Sequence, residues 1–146
     1  MLSDGQGVDL SMMTAVMHMD LRKDGFPYYV DMFYRAGVIN CIHFLLPARR
    51  VYETCRGVVK IDAPVWLSKS NGRKSFDEHA VYLLHDVNKV SVKNFRQYVL
   101  ALWLAGVSAY SVDVISRQVT YYGDVDYRDV DEVAQNFNGA THTTYR

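Results

Sequence analysis

An α+β domain with a mainly antiparallel sheet and about four helices is the fold class this sequence predicts. Three observations carry that expectation. The stretch Ser91–Gly123 reads as a capped helix, a glycine stop and then strand-forming residues. Val38–Leu46 is an almost unbroken apolar run ended by Pro47, as a strand covered on both faces would be. The order of elements, two helices, several strands, then strand–helix–strand and a final helix, is that of an α+β domain with a mainly antiparallel sheet. At 146 residues, with 49% hydrophobic and 22% charged, the chain has the length and composition of one globular domain.

Taken in order, residues 1–8 read as an irregular arm, 9–139 as the domain and 140–146 as a polar tail. Asp9 caps a first helix whose stripe is Leu10, Met13, Val16, Met17 and Leu21, stopped at Asp24-Gly25. Pro27 suits the first turn of a second helix, Pro27–Ala36, closed by Gly37. After the Val38–Leu46 strand come strands in Val51–Ile61, with a turn or bulge at Gly57, and in Pro64–Leu67. Ser68–Lys74 is the clearest loop, Asn71-Gly72 giving a tight turn.

The segment 75–87 admits two readings. Ser75 and Glu78 make a capping box for a helix. Alternatively, His79–Val87 alternates as a strand, with Val81 and Leu83 on one side, Tyr82 and Leu84 on the other. The strand is preferred, because it completes a right-handed strand–helix–strand unit around the helix Ser91–Ala105. A ferredoxin-like second half follows from that preference. Ser91 caps the helix, Val92, Phe95, Val99 and Leu102 repeat along it, and Gly106 supplies the left-handed residue that ends it. Val107–Tyr122 then forms one or two strands, and Asp126 caps a last helix that Gly139 stops.

The second half of the Ser91–Ala105 helix has no polar side: Leu100 through Ala105 cover every direction of the wheel. A helix end apolar all round must be covered all round, either at the centre of the domain or by another subunit. Leu100, Trp103 and Leu104, with the soft methionine stripe Met12, Met13 and Met17, are therefore the interface candidates. Eleven tyrosines against six phenylalanines fit the half-wet faces of a sheet or of an interface.

Formal charge is zero but unevenly spread, with residues 49–96 at +5 between acidic flanks. Arg49, Arg50, Arg56, Lys69, Arg73 and Lys74 are interleaved with Tyr52, Trp66 and Phe76, the residue types that track phosphates and stack bases. The acidic flanks neutralise this field at long range, which disfavours nonspecific DNA binding.

Chemistry-bearing constellations are weak. Cys41 and His43 share a strand face, the elements of a nucleophile and its base, yet both lie in an apolar run where buried cysteine is commonplace. His79 and His85 would be about 20 Å apart along a strand, too far for one ion. No phosphate loop, metal-ligand spacing or nuclease pattern is complete. No catalytic, cofactor-binding or metal residue is assigned, and the expectation is a non-enzyme without cofactor. Two cysteines are too few for a disulfide framework. With no charged start leading into an apolar run, and no apolar run beyond nine residues, synthesis in the cytoplasm away from membranes is expected.

The sequence thus points to a protein that works through its surface: a structural subunit of a multi-subunit particle, partnered by copies of itself and by other subunits. A viral or phage virion component (capsid, neck or tail) has this general character. The first alternative is a nucleic-acid- or host-factor-binding module using residues 49–74. The second is a small hydrolase with a Cys/His site.

Overall fold

The computed structural model of the protein describes residues 26–46, 48–62, 67, 72, 74–85, 95–123 and 141–145. Helix α1 spans Phe26–Arg35 and buries Val30 and Phe33, three residues apart, the Phe33 ring lying 5.5 Å from that of Tyr52. Its end is tied by Ala36 N–H to Met32 O (3.0 Å) and Gly37 N–H to Tyr34 O (3.1 Å).

Three strands follow: β1 Val38–Phe44, β2 Arg49–Thr54 and β3 Gly57–Asp62. The β2–β3 turn is held by Thr54, whose hydroxyl donates to Gly57 O (2.7 Å) and accepts from Arg56 N–H (3.1 Å). Helix α2, Glu78–His85, and helix α3, Phe95–Leu104, precede the hairpin of β4 Ala109–Asp113 and β5 Gln118–Tyr122. The last strand, β6, is His142–Tyr145. The sheet order is β3-β2-β1-β4-β5-β6, with every neighbouring pair antiparallel.

As its apolar run predicts, β1 is central and buried on both faces. Cys41 and His43 belong to the larger core with Tyr52, Tyr110 and Tyr121; Ile42 and Phe44 cluster on the other face with Val51, Ala109 and Tyr122. Gly106 closes α3 with the double bond of a Schellman motif, Val107 N–H to Leu102 O (2.9 Å) and Gly106 N–H to Trp103 O (3.0 Å). The chain before α2 straps onto this corner, Asp77 N–H donating to Ala105 O at 2.9 Å.

Three expectations are corrected. Residues 78–85 form a helix, so the strand–helix–strand unit behind the ferredoxin-like arrangement is absent. The buried side chains are Val81 and Leu84, a helical spacing, and tertiary burial decided a pattern that alternation could equally describe. The cap is also Asp77 rather than Ser75: Asp77 Oδ1 accepts from Ala80 N–H at 3.0 Å. Replacing Asp77 with alanine is expected to cost about 1 kcal/mol, readable as a lowered urea midpoint at unchanged slope.

The polar tail is the second correction. It supplies the outermost strand, pairing Tyr145 with Val119 and His142 with Tyr122. Third, the described residues hold three helices rather than about four. The helices expected over 9–24 and after Asp126 lie outside the described residues, as do the strand expected at 64–67 (save Leu67, which is buried) and Ser91.

Candidate functional site

Helix α3 settles part of the interface expectation. Tyr98, Val99 and Leu102 are buried, and Trp103 is only 9% exposed. Trp103 is therefore a core residue, which corrects its assignment to an interface. Leu100 and Leu104 are 37% and 44% exposed. They stand one turn apart in line with exposed Arg96, because residues four apart share a helix face. The apolar helix end is thus covered everywhere except along this line. Met12, Met13 and Met17 lie outside the described residues.

A second apolar surface gathers where α1 meets the β4–β5 turn. Tyr34 and Ile115, each 63% exposed, line one hollow together with Val30, Val114 and the ion pair Asp31–Arg117 (2.6 Å). The turn is ordered by Asp113, whose Oδ1 accepts from Ile115 and Ser116 N–H, both at 3.0 Å. Arg117 adopts a left-handed backbone (φ 59°), an uncommon conformation for a residue with a side chain, and one that brings its guanidinium to Asp31.

Among the described residues, the basic candidates of the 49–74 region do not share one uncovered face. Arg50, only 2% exposed, is buried, which corrects its assignment as a nucleic-acid contact. Arg49 is bound to Asp62 at 2.7 Å. Arg56 and Lys74 are exposed, while Lys69 and Arg73 lie outside the described residues.

Strand register explains where Arg50 goes. Arg50 stands opposite His43, His43 opposite Tyr110, and Tyr110 opposite Tyr121, one row across four strands. Residues directly opposite in antiparallel strands share a face, so the whole row enters the core. His43 Nδ1 lies 2.9 Å from the Tyr110 hydroxyl; Tyr121 Oη lies 2.6 Å from Tyr98 Oη and 2.9 Å from His85 Nδ1. The first of these bonds ties β1 to β4, and the other two tie β5 to α3 and α2. Sequence reasoning missed the network; the tyrosine excess was its only trace, since the partners meet only through register.

The electrostatics of this row bear on the Cys/His reading. Burial pushes the Cys41 thiol up to about 12, against the opposing pull of the Arg50 charge. Burial, reinforced by Arg50, holds His43 well below histidine's ordinary 6.5, and burial raises the Tyr52 and Tyr110 hydroxyls. At neutral pH this pair is a protonated thiol and a neutral imidazole, both sealed from solvent. It lacks the thiolate and the access that nucleophilic chemistry requires.

His79 and His85 part company on α2. His79 is exposed and near-parallel to Tyr82, with ring centroids 6.5 Å apart, whereas His85 stacks on Tyr145 at 4.5 Å. Among the described residues no group of three or more His, Cys, Asp or Glu is placed to hold a metal ion. Among the same residues no helix is long and apolar enough to cross a membrane.

No protein-family model matches the chain. Over 100 residues it is 30% identical to uncharacterized proteins of Mycobacterium bovis and Mycobacterium tuberculosis. The matched region covers 68% of this chain and 61% of each relative, so the chain spans about three fifths of the length of the curated relatives it matches.

Proposed function

We infer that this chain is a non-catalytic subunit of a multi-subunit assembly, docking through the solvent-side line of α3. The observation that carries this reading is the pair Leu100 and Leu104, exposed one above the other on the helix whose Tyr98, Val99, Leu102 and Trp103 are turned into the core. Single exposed leucines are ordinary on protein surfaces. Two in register at the end of a short, apolar helix form a ridge that a partner's groove covers. The Tyr34–Ile115 hollow, apolar at its centre and rimmed by an ion pair, has the composition of a second contact. Two such surfaces suit one copy among several better than a lone binder.

The virion setting rests on sequence character, and the relatives are bacterial, so the proposal is made for an assembly subunit without a named particle. The nucleic-acid alternative is weakened by the burial of Arg50 and the engagement of Arg49 by Asp62. The hydrolase alternative loses its thiolate.

Light scattering after size-exclusion chromatography tests the assembly reading. At high micromolar concentration the protein should run well above its 16.7 kDa chain mass. The double variant L100S/L104S should shift toward that mass, with association weakened at least ~10-fold, since each covered leucine is worth roughly 1.5–3 kcal/mol. A wild type that stays monodisperse at the chain mass would overturn the proposal.

A further inference from the structure

An aromatic-walled groove lies at the α2–β6 corner. Glu78, His79 and Tyr82 on α2 face Thr143 and Tyr145 on β6 across an open groove. Tyr82, 46% exposed, has its ring 6.4 Å from that of Tyr145, inclined at 44°. Tyr145 is packed from two sides: His85 is stacked on it at an interplanar angle of 14°, and Tyr121 meets it edge-on at 6.0 Å. His85 is fixed in turn by its bond to the Tyr121 hydroxyl. The rings are thus held in place by the buried network, while Tyr82 and His79 stay open to solvent.

From this geometry we propose that the groove binds a cationic side chain of a protein partner, specifically an arginine guanidinium stacked on Tyr82 and Tyr145 and paired with Glu78. Aromatic faces carry negative potential and attract cations lying over them. A carboxylate at the rim supplies the acceptor that a planar guanidinium engages through two N–H groups. No lysine or arginine lines the groove among the described residues, and exposed Asp77 adds a second acid next to Glu78. The open shape favours guanidinium over ammonium, since a flat ion stacks on a ring wall while a compact ammonium keeps its water. A nucleic-acid base could use the same rings, but its phosphates would meet Glu78 and Asp77, so the partner is a basic protein segment. This site is separate from the α3 ridge and stands or falls independently of it.

The test is an NMR titration of the full chain with Nα-acetyl-arginine methylamide, beside its uncharged norleucine counterpart and adenosine monophosphate. Arginine amide should move the resonances of His79, Tyr82, Thr143 and Tyr145, saturating in the millimolar range, while norleucine amide moves none of them. Glu78→Gln should weaken binding ~5-fold and Tyr82→Ala at least as much. Both residues are exposed, so folding is retained, and L100S/L104S should bind as wild type does. Equal shifts with norleucine amide, a stronger response to adenosine monophosphate, or no response to arginine amide would each overturn the proposal.

Discussion

Replacing Gly106 with alanine is expected to destabilise the protein by about 2–5 kcal/mol, and two separate costs combine to produce it. The Gly106 backbone sits at φ +89°, in the left-handed region where a side chain costs about 1–2 kcal/mol. An added Cβ would also fall on the backbone of Ser75 and Phe76, which is not the far end of a flexible side chain and cannot swing aside. Forcing the strap outward strains the Asp77 N–H bond to Ala105 O, and overpacking of this kind costs about 1–3 kcal/mol. Gly57→Ala is the control. Its φ is +123°, but an added Cβ there meets nothing within 4 Å, so only the backbone cost applies. Urea unfolding should place G106A at least ~1 kcal/mol below G57A. Equal loss in the two variants would show that the strap does not lock the end of α3.

A two-sided dependence of stability on pH is the other large expectation. His43 in the fold resists protonation, its affinity lowered by burial and then by Arg50. Below pH 6.5 the unfolded chain binds a proton there that the native state refuses. Stability therefore falls as pH falls, by up to about 1.4 kcal/mol per unit. On the alkaline side the sign reverses through Cys41. The unfolded thiol ionises near its ordinary 9.0, while the native thiol holds its proton to about 12. Stability then falls as pH rises above 9, by a similar slope and by roughly 4 kcal/mol in all over that window. Denaturant titrations from pH 5 to 11 check both limbs. His43→Asn should flatten the acid limb relative to wild type, and Cys41→Ala the alkaline limb. Identical slopes in wild type and variants would mean that neither group titrates across folding.

The pH expectation draws on a buried sheet face that the sequence hides. Cys41 and His43 are legible as neighbours on a strand face, because strand side chains alternate with a period of two. That Arg50 shares the row is not legible: a charged residue in a basic stretch reads as surface, and only the pairing of β2 with β1 turns it inward. The α3 ridge was half visible. The wheel marked the helix end as apolar all round, but which of Leu100, Trp103 and Leu104 faces out depends on what packs against the helix. The aromatic groove left no local signal, since its two walls come from α2 and from residues that read as a polar tail.

The sequence by itself determined the α+β class, the central apolar strand, the helix closed at Gly106 and the strands after it. Each of these is written in residues a few positions apart, through caps, stops and short-period repeats. Only the tertiary structure decided that 78–85 is a helix, that 142–145 closes the sheet, that Arg50 and Trp103 are inside and that Leu100 and Leu104 are outside. Those outcomes depend on which distant segment competes for each buried face. Burial is a property of the assembled chain, and no local pattern carries it.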